Sequence, residues 1–158
     1  MRLFHPENVS QTKAIVAWVN ERLENTVSDH EAFAVAVIEE GTFNILAGAV
    51  FTGYSGENMF LSGAIDPEGI GKVTRGHLFG MLMTAFGEPF NCLRITSLVA
   101  PKNERSKRFV TGLGFKQEGA LRDYLEEDTE TLLYGLTRKE FLGGRYGRRQ
   151  RREWRRAS

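Results

Sequence analysis

Three apolar runs, Ala32 to Ile38, Phe43 to Thr52 and Met59 to Ile65, follow one another with only turn residues between them. Runs this short, rich in small and β-branched residues, have the length of strands rather than helices. The breaks between them are Glu39-Glu40-Gly41 and the turn Tyr54-Ser55-Gly56-Glu57-Asn58, so the first two runs predict an antiparallel hairpin and the third a further strand ending at Asp66-Pro67. A sheet of this kind needs helices to cover it. Between Asn8 and Asn25, Ile15, Trp18, Val19 and Leu23 recur at helical spacing. After Thr74, which suits a cap, Leu78, Met81, Leu82, Ala85 and Phe86 recur at i, i+3, i+4, i+7 and i+8. Leu93 to Ala100 alternates like a strand, Asn103 to Leu113 is again helical, Gly114 ends that helix before Phe115, and Thr131 to Thr137 reads as a last strand. The order helix, three strands, helix, strand, helix, then one or two strands predicts an α/β (α+β) fold. Its centre is a mixed, mostly antiparallel sheet flanked by helices.

With 158 residues, 41% of them hydrophobic, the chain is long enough for one core without staples. No apolar run approaches the ~18 to 20 residues of a membrane span, and MRLFHPENVS lacks the apolar stretch of a signal peptide, which points to a cytoplasmic protein with no membrane contact. Cys92 is the single cysteine, so neither an internal disulfide nor a cysteine-rich zinc site is expected. His5, His30 and His77 are far apart, and no metal site is expected from them either. Seven arginines against Glu153 give Gly143 to Ser158 a charge of +6, which leaves about −5 for the rest of a chain whose net charge is +1. The sequence therefore divides into a domain, 1–142, and an Arg-rich tail, 143–158. The tail reads either as a solvated extension or as a nucleic-acid contact, and Trp154 could anchor it in both cases.

The stretch from Phe60 to Phe86 is an apolar strand that runs into a loop with Gly69, Gly71 and Gly76 before a helix begins. Such a junction points free N–H groups and the positive helix end outward, a site suited to phosphate. Two familiar phosphate patterns fail here. Gly69-Ile70-Gly71-Lys72-Val73-Thr74 has Asp66 where a P-loop needs its first glycine and Val73 where it needs Ser or Thr. The dinucleotide pattern fails at Thr74, which stands in place of the third glycine.

Leu93 to Arg122 reads LRITSLVAPKNERSKRFVTGLGFKQEGALR. A strand followed by Asn103, Ser106 three residues on, a one-sided helix, Leu113-Gly114-Phe115 and Glu118-Gly119 before Leu121-Arg122 resembles the GNAT superfamily of N-acetyltransferases. The branch it is most similar to contains the ribosomal-protein and amino-terminal acetyltransferases. Gly114 as a helix end and Phe115 as a core anchor would serve any fold. Asn103 either caps its helix or presents its amide to a ligand, and the resemblance favours the ligand.

The resemblance implies strands splayed around acetyl-CoA (coenzyme A) and direct transfer of its acetyl group to an amine, on a protein or a small molecule, with both substrates bound. The strand Met59 to Ile65 would part from its neighbour, Ala64 and Ile65 would pair with the pantetheine arm, and a backbone N–H at Ile65 would polarise the thioester carbonyl. Pyrophosphate would rest on Arg75, Gly76, His77 and Leu78 with Lys72 as an added charge, while Asn103 and Ser106 form the far wall. The loop departs from the family's pattern of Gln or Arg, two residues, Gly, one residue, then Gly or Ala. With Lys72 first, Arg75 and His77 fall on small positions; with Arg75 first, Leu78 does. Candidate bases are Asp66, Asp123, Tyr124 and Tyr134, and Ser62 could protonate the leaving thiolate. Asp66 before Pro67 reads more often as a turn residue, and Tyr134 as a half-buried strand aromatic. A catalytic role for His77 or a nucleophilic one for Cys92 is not expected. A second reading keeps the fold without catalysis, as a CoA-binding module that touches nucleic acid through the tail. A homodimer formed through sheet edges is compatible with both.

Overall fold

Alternation along the first apolar run decides which helix covers which face of the sheet. Strand β2 (Phe33–Ile38) turns Ala34, Ala36 and Ile38 to one side, where helix α1 (Val9–Asn20) brings Ile15, Val16 and Val19 against them. Val35 and Val37 point to the other side and join Phe79, Met81, Leu82, Ala85 and Phe86 of helix α2 (Arg75–Phe86). Three layers result, with the sheet in the middle. The computed structural model describes residues 1–23, 26–144, 147–149, 152 and 156.

The sheet has seven strands in the order β1-β2-β3-β4-β5-β7-β6: β1 Arg2–Phe4, then β2, β3 Ile45–Thr52, β4 Asn58–Ile65, β5 Arg94–Val99, β6 Lys116–Arg122 and β7 Glu130–Thr137. Every neighbouring pair is antiparallel except β4 and β5, which are parallel and joined through α2. The mixed, mostly antiparallel sheet expected from the sequence is therefore present. Helix α3 (Glu104–Gly112) joins β5 to β6, and a short α4 (Arg138–Gly143) follows β7.

Local chemistry explains the ends of these elements. Asn8 caps α1 by accepting from the Gln11 N–H at 2.9 Å, Thr74 caps α2, and Asn103 caps α3 through the Ser106 N–H at 3.0 Å. Gly114 follows α3 at φ +98°, a conformation that suits glycine, and Phe115 enters the core behind it. Helix α1 stops at Asn20, short of the expected Asn25, which itself lies outside the described residues. Gly48 on β3 is what lets α1 approach so closely: a Cβ there would stand 2.9 Å from Val19 Cγ2 and 3.2 Å from Trp18 Cε3. Trp154 and much of the 143–158 tail also lie outside the described residues.

Candidate active site

Hydrogen-bond alternation in the two central strands builds the site. The Asp66 N–H donates to the Leu46 carbonyl at 2.9 Å, and Ala47 stands opposite Ile65. In an antiparallel ladder, residues that exchange main-chain bonds alternate with residues that do not. Ala64 and Ser62 therefore bond across to Gly48 and Val50, while Ile65, Gly63 and Leu61 turn their N–H and C=O groups away from β3, toward β5. On β5, the Arg138 N–H donates to the Leu93 carbonyl at 2.8 Å, so Ile95, Ser97 and Val99 bond to β7 and Leu98 faces back toward β4.

Those facing groups do not pair with one another along the whole strand. β4 and β5 match only at Asn58 with Arg94, Met59 with Ile95 and Phe60 with Thr96. One step further, the Ser97 hydroxyl donates to the Leu61 carbonyl at 3.1 Å in a buried contact, and beyond it the strands part. The opening leaves Gly63, Ile65 and Leu98 with main-chain groups directed into a cleft. A cavity of about 30 Å³, room for about one water, lies in its throat among Ser62, Gly63, Ser97, Leu98, Asn103 and Ser106. Further out, a pocket of about 360 Å³ is lined by Ala64, Ile65, Ile70, Arg105 and Arg108, with Arg22 at its edge. Phe109 lines both, and its ring lies against Gly63, whose added Cβ would meet it at 3.3 Å.

A third and larger cavity, about 900 Å³, lies on the α2 side, bounded by Arg75, Leu78 and Phe79 of α2, Arg108 and Phe109 of α3, and Phe141 of α4. Arg108 and Phe109 thus separate it from the pocket at the strand end.

The structure sorts the residues predicted from the sequence. Ile65, Ala64, Asn103 and Ser106 are gathered around one pocket, Ala64 with its main-chain groups already committed to β3. Ser62 lies beside the throat. Arg75 and Leu78 line the larger cavity instead. Lys72 pairs with Glu39 at 3.6 Å, on the turn between β2 and β3. Asn103 spends its side-chain oxygen on the helix cap, which leaves its amide N–H₂ to a ligand.

Gly76 and His77 open α2, where His77 closes a capping box: its N–H donates to Thr74 Oγ1 at 3.2 Å and its Nδ1 accepts from the Thr74 N–H at 3.1 Å. Burial lowers the His77 pKa below its ordinary value, the chain's own N-terminal ammonium adding to the effect and a hydrogen bond to the Met1 backbone opposing it.

Among the expected bases, Asp66 is already engaged. Its carboxylate accepts from Arg22 at 3.3 Å, and that guanidinium lies 3.7 Å over the Trp18 ring and donates to the Trp18 carbonyl at 3.0 Å. Tyr134 is buried in the core with Val110, Phe115 and Leu136. Asp123 accepts from the Asp128 N–H in the β6–β7 turn, and Tyr124 is exposed there. Ser97, Arg105 and Phe109 were not singled out by the sequence. The first two were invisible because only the parting of the strands gives them meaning.

No group of histidine, cysteine and acidic side chains able to hold a metal occurs among the described residues, and no described helix is long and apolar enough to cross a membrane. Neither a family model nor a curated protein matches the sequence. Solved structures do match. A parallel pair of central strands parted around a cleft, with α2 as the crossover, is the arrangement of the GNAT N-acetyltransferases, and the chain has that fold. Ribosomal-protein-S5-alanine acetyltransferase from Vibrio fischeri superposes with a TM-score of 0.62 at 18% identity, over 85% of this chain and 91% of that one. A variant of spermidine N-acetyltransferase SpeG from Vibrio cholerae gives 0.66 at 17% identity, over 90% and 98%. A dodecameric structure of the same spermidine enzyme gives 0.64 at 15%, over 89% and 95%.

Proposed function

We propose that the chain is an acetyl-CoA-dependent N-acetyltransferase whose reaction centre lies where β4 and β5 part. The observation that carries this reading is the set of main-chain groups on Gly63, Ile65 and Leu98 that face the cleft. These residues are half-buried and their N–H groups are not paired with the neighbouring strand, although the Ile65 carbonyl accepts from Arg105 at 3.3 Å; an extended ligand with amides of its own can pair there as a third strand would. Acetyl-CoA provides such an arm together with an activated acetyl thioester.

The chain's own part is to bind, orient and stabilise. The Ile65 N–H, with Gly63 beside it, donates to the oxygen that gains charge as the amine attacks. A bond forms between the amine nitrogen and the acetyl carbon, and the carbon–sulfur bond breaks. Ser62, at the throat, gives its proton to the leaving sulfur and is reprotonated by the proton the nitrogen sheds as the amide forms. The ammonium form of the acceptor gives up its proton to water, since Asp66 is held by Arg22 and Tyr134 is packed in the core. We take the acceptor to be a primary amine, as the alanine and spermidine enzymes of the same fold suggest. Cys92, buried and unpaired, suits a reducing cytosol. The dodecameric neighbour makes self-association through sheet edges a reasonable expectation, whereas nucleic-acid contact by the tail gains no support from these similarities.

The test is release of free thiol from acetyl-CoA in the presence of spermidine, an alanine-initiated peptide or a lysine peptide. Release that depends on one of these amines supports the enzyme. Tight acetyl-CoA binding with no release for any amine would favour the CoA-binding module instead.

A further inference from the structure

The two halves of the sheet, β1 to β4 and β5 to β7, meet along the short seam between β4 and β5, which Ser97 pins from the α2 side. The opposite face carries a second connection. Along β5, Arg94 and Thr96 alternate with Ile95 and Ser97, so they point away from α2. There the Thr96 hydroxyl donates to Asn58 Oδ1 on β4 at 2.6 Å and accepts from Arg94 Nε at 3.1 Å. The Arg94 guanidinium in turn meets both carboxylate oxygens of Glu118 on β6. A chain of hydrogen bonds thus runs through Glu118, Arg94, Thr96 and Asn58, from the edge strand to the far side of the seam.

Each link restricts the next. A hydroxyl has one proton, and with Arg94 donating to its oxygen, Thr96 has that proton free for Asn58. Glu118 holds the guanidinium in a two-pronged pair, which fixes the direction in which Nε points. Two features of the backbone serve this pair. Glu118 is the extra residue where the β6–β7 ladder shifts between Gln117 and Gly119, and such a bulge re-aims a side chain. Gly135 on β7 stands opposite Thr96 and leaves the room, since a Cβ there would overlap the Glu118 carboxylate and the Arg94 guanidinium. The ion pair is half-exposed, and exposed pairs add little to stability. Thr96, where the chain crosses the seam, is buried. Stability alone therefore gives this arrangement little reason.

We infer that Glu118 and Arg94 are positioning residues for the cofactor cleft: through Thr96 they fix Asn58 and the closed end of the seam, and so the angle at which β4 and β5 part. The inference rests on the reading of that cleft as the acetyl-CoA site. Thr96 and Ser97, neighbours on β5, grip β4 from opposite faces at Asn58 and Leu61, which resists twisting of one half-sheet against the other. With the Thr96 side released, β4 rocks about the Ser97 contact, and Gly63, Ile65 and Leu98 no longer hold one spacing. A ligand arm that pairs with them must then order the cleft as it binds, which lowers its affinity. Once the arm is bound the cleft is ordered again, so the chemical step is spared. Glu118 acts at a distance, since β6 stands at the sheet edge with β5 and β7 between it and β4.

Calorimetric titration of the full chain with coenzyme A tests the assignment, with Thr96→Val, which keeps the shape and loses the hydroxyl, Thr96→Ser, which keeps the hydroxyl, and Glu118→Ala. Thr96→Val should weaken binding by about five- to tenfold and Glu118→Ala by about three- to fivefold, while Thr96→Ser stays within about twofold of the intact chain. In steady-state kinetics the KM for acetyl-CoA should rise in the same order, with kcat changed by less than about twofold. Thermal unfolding of each variant separates positioning from stability. A lower melting temperature with unchanged coenzyme A affinity in Thr96→Val and Glu118→Ala overturns the inference, as does a loss in Thr96→Ser equal to that in Thr96→Val. Should Thr96→Val not fold, Glu118→Ala, at an exposed position, decides the matter in the same way. Failure of the intact chain to bind coenzyme A at all overturns the reading of the cleft, and the inference with it, an outcome distinct from the others.

Discussion

The Ser97 hydroxyl donates to the Leu61 carbonyl one step beyond the last main-chain pair between β4 and β5. A side chain thus replaces the ladder bond at the point where the sheet opens, satisfying a buried carbonyl that neither strand could otherwise serve. Replacing Ser97 by alanine leaves that carbonyl buried without a donor, which costs about 1–3 kcal/mol. Urea unfolding should show a lower midpoint with an unchanged slope, and the KM for acetyl-CoA should rise because the cleft wall is no longer pinned.

Two glycines that sit near one another across β3 and β4 should respond differently to alanine. At Gly48 the new methyl would meet Val19 and Trp18 of α1, and overpacking of this kind costs about 1–3 kcal/mol. Activity per folded molecule should be unaffected, since α1 covers the face away from α2. At Gly63 the methyl would meet the Gly48 carbonyl at 3.1 Å and the Phe109 ring at 3.3 Å, at the entrance to the throat. There the cofactor KM should rise by about tenfold, equivalent to ~1.4 kcal/mol, with a smaller loss of stability. Thermal unfolding and steady-state kinetics on both variants separate the effects.

His77 makes the cap of α2 sensitive to acid. Its Nδ1 must be unprotonated to accept from the Thr74 N–H, and burial holds its pKa below the ordinary 6.5. The unfolded chain therefore binds this proton more readily than the folded one, so the stabilisation is present above pH 6.5 and is lost as pH falls from there through the lower folded value. Glutamine can close the same capping box without titrating. Melting temperatures measured across this range should fall toward acid in the natural chain and lose part of that slope in His77→Gln.

Much of the fold was legible because apolar periodicity reports directly on burial. The runs at Ala32, Phe43, Met59 and Leu93 became β2 to β5, and the i, i+3, i+4 pattern from Leu78 became α2. Strand β1 escaped because three residues hold too little alternation to read. Strand β6 escaped because Lys116–Arg122 is a polar edge, its ladder irregular between Gln117 and Gly119. Helix α4 did leave a trace: Thr137 and Glu140, three apart, form the cap that the structure shows.

Within the site, Ile65, Asn103 and Ser106 could be placed by motif, since strand end and helix start are fixed by local sequence. Lys72 could not, because its partner Glu39 lies in another turn of the chain. The same holds for Arg22 with Asp66, Ser97 with Leu61 and Arg105 with Ile65, each a contact between residues more than thirty positions apart. Side-chain pairing of that kind depends on the assembled sheet, and no local pattern encodes it.

The central claim is that the parting of β4 and β5 is the acetyl-CoA site, and amide chemical-shift mapping by NMR tests it most directly. On addition of acetyl-CoA, the amides of Gly63, Ile65 and Leu98 should show the largest changes, because theirs are the main-chain groups that face the cleft. The absence of any change, or changes centred elsewhere, such as on the aromatic cluster of Phe33, Tyr54 and Phe90, would contradict it.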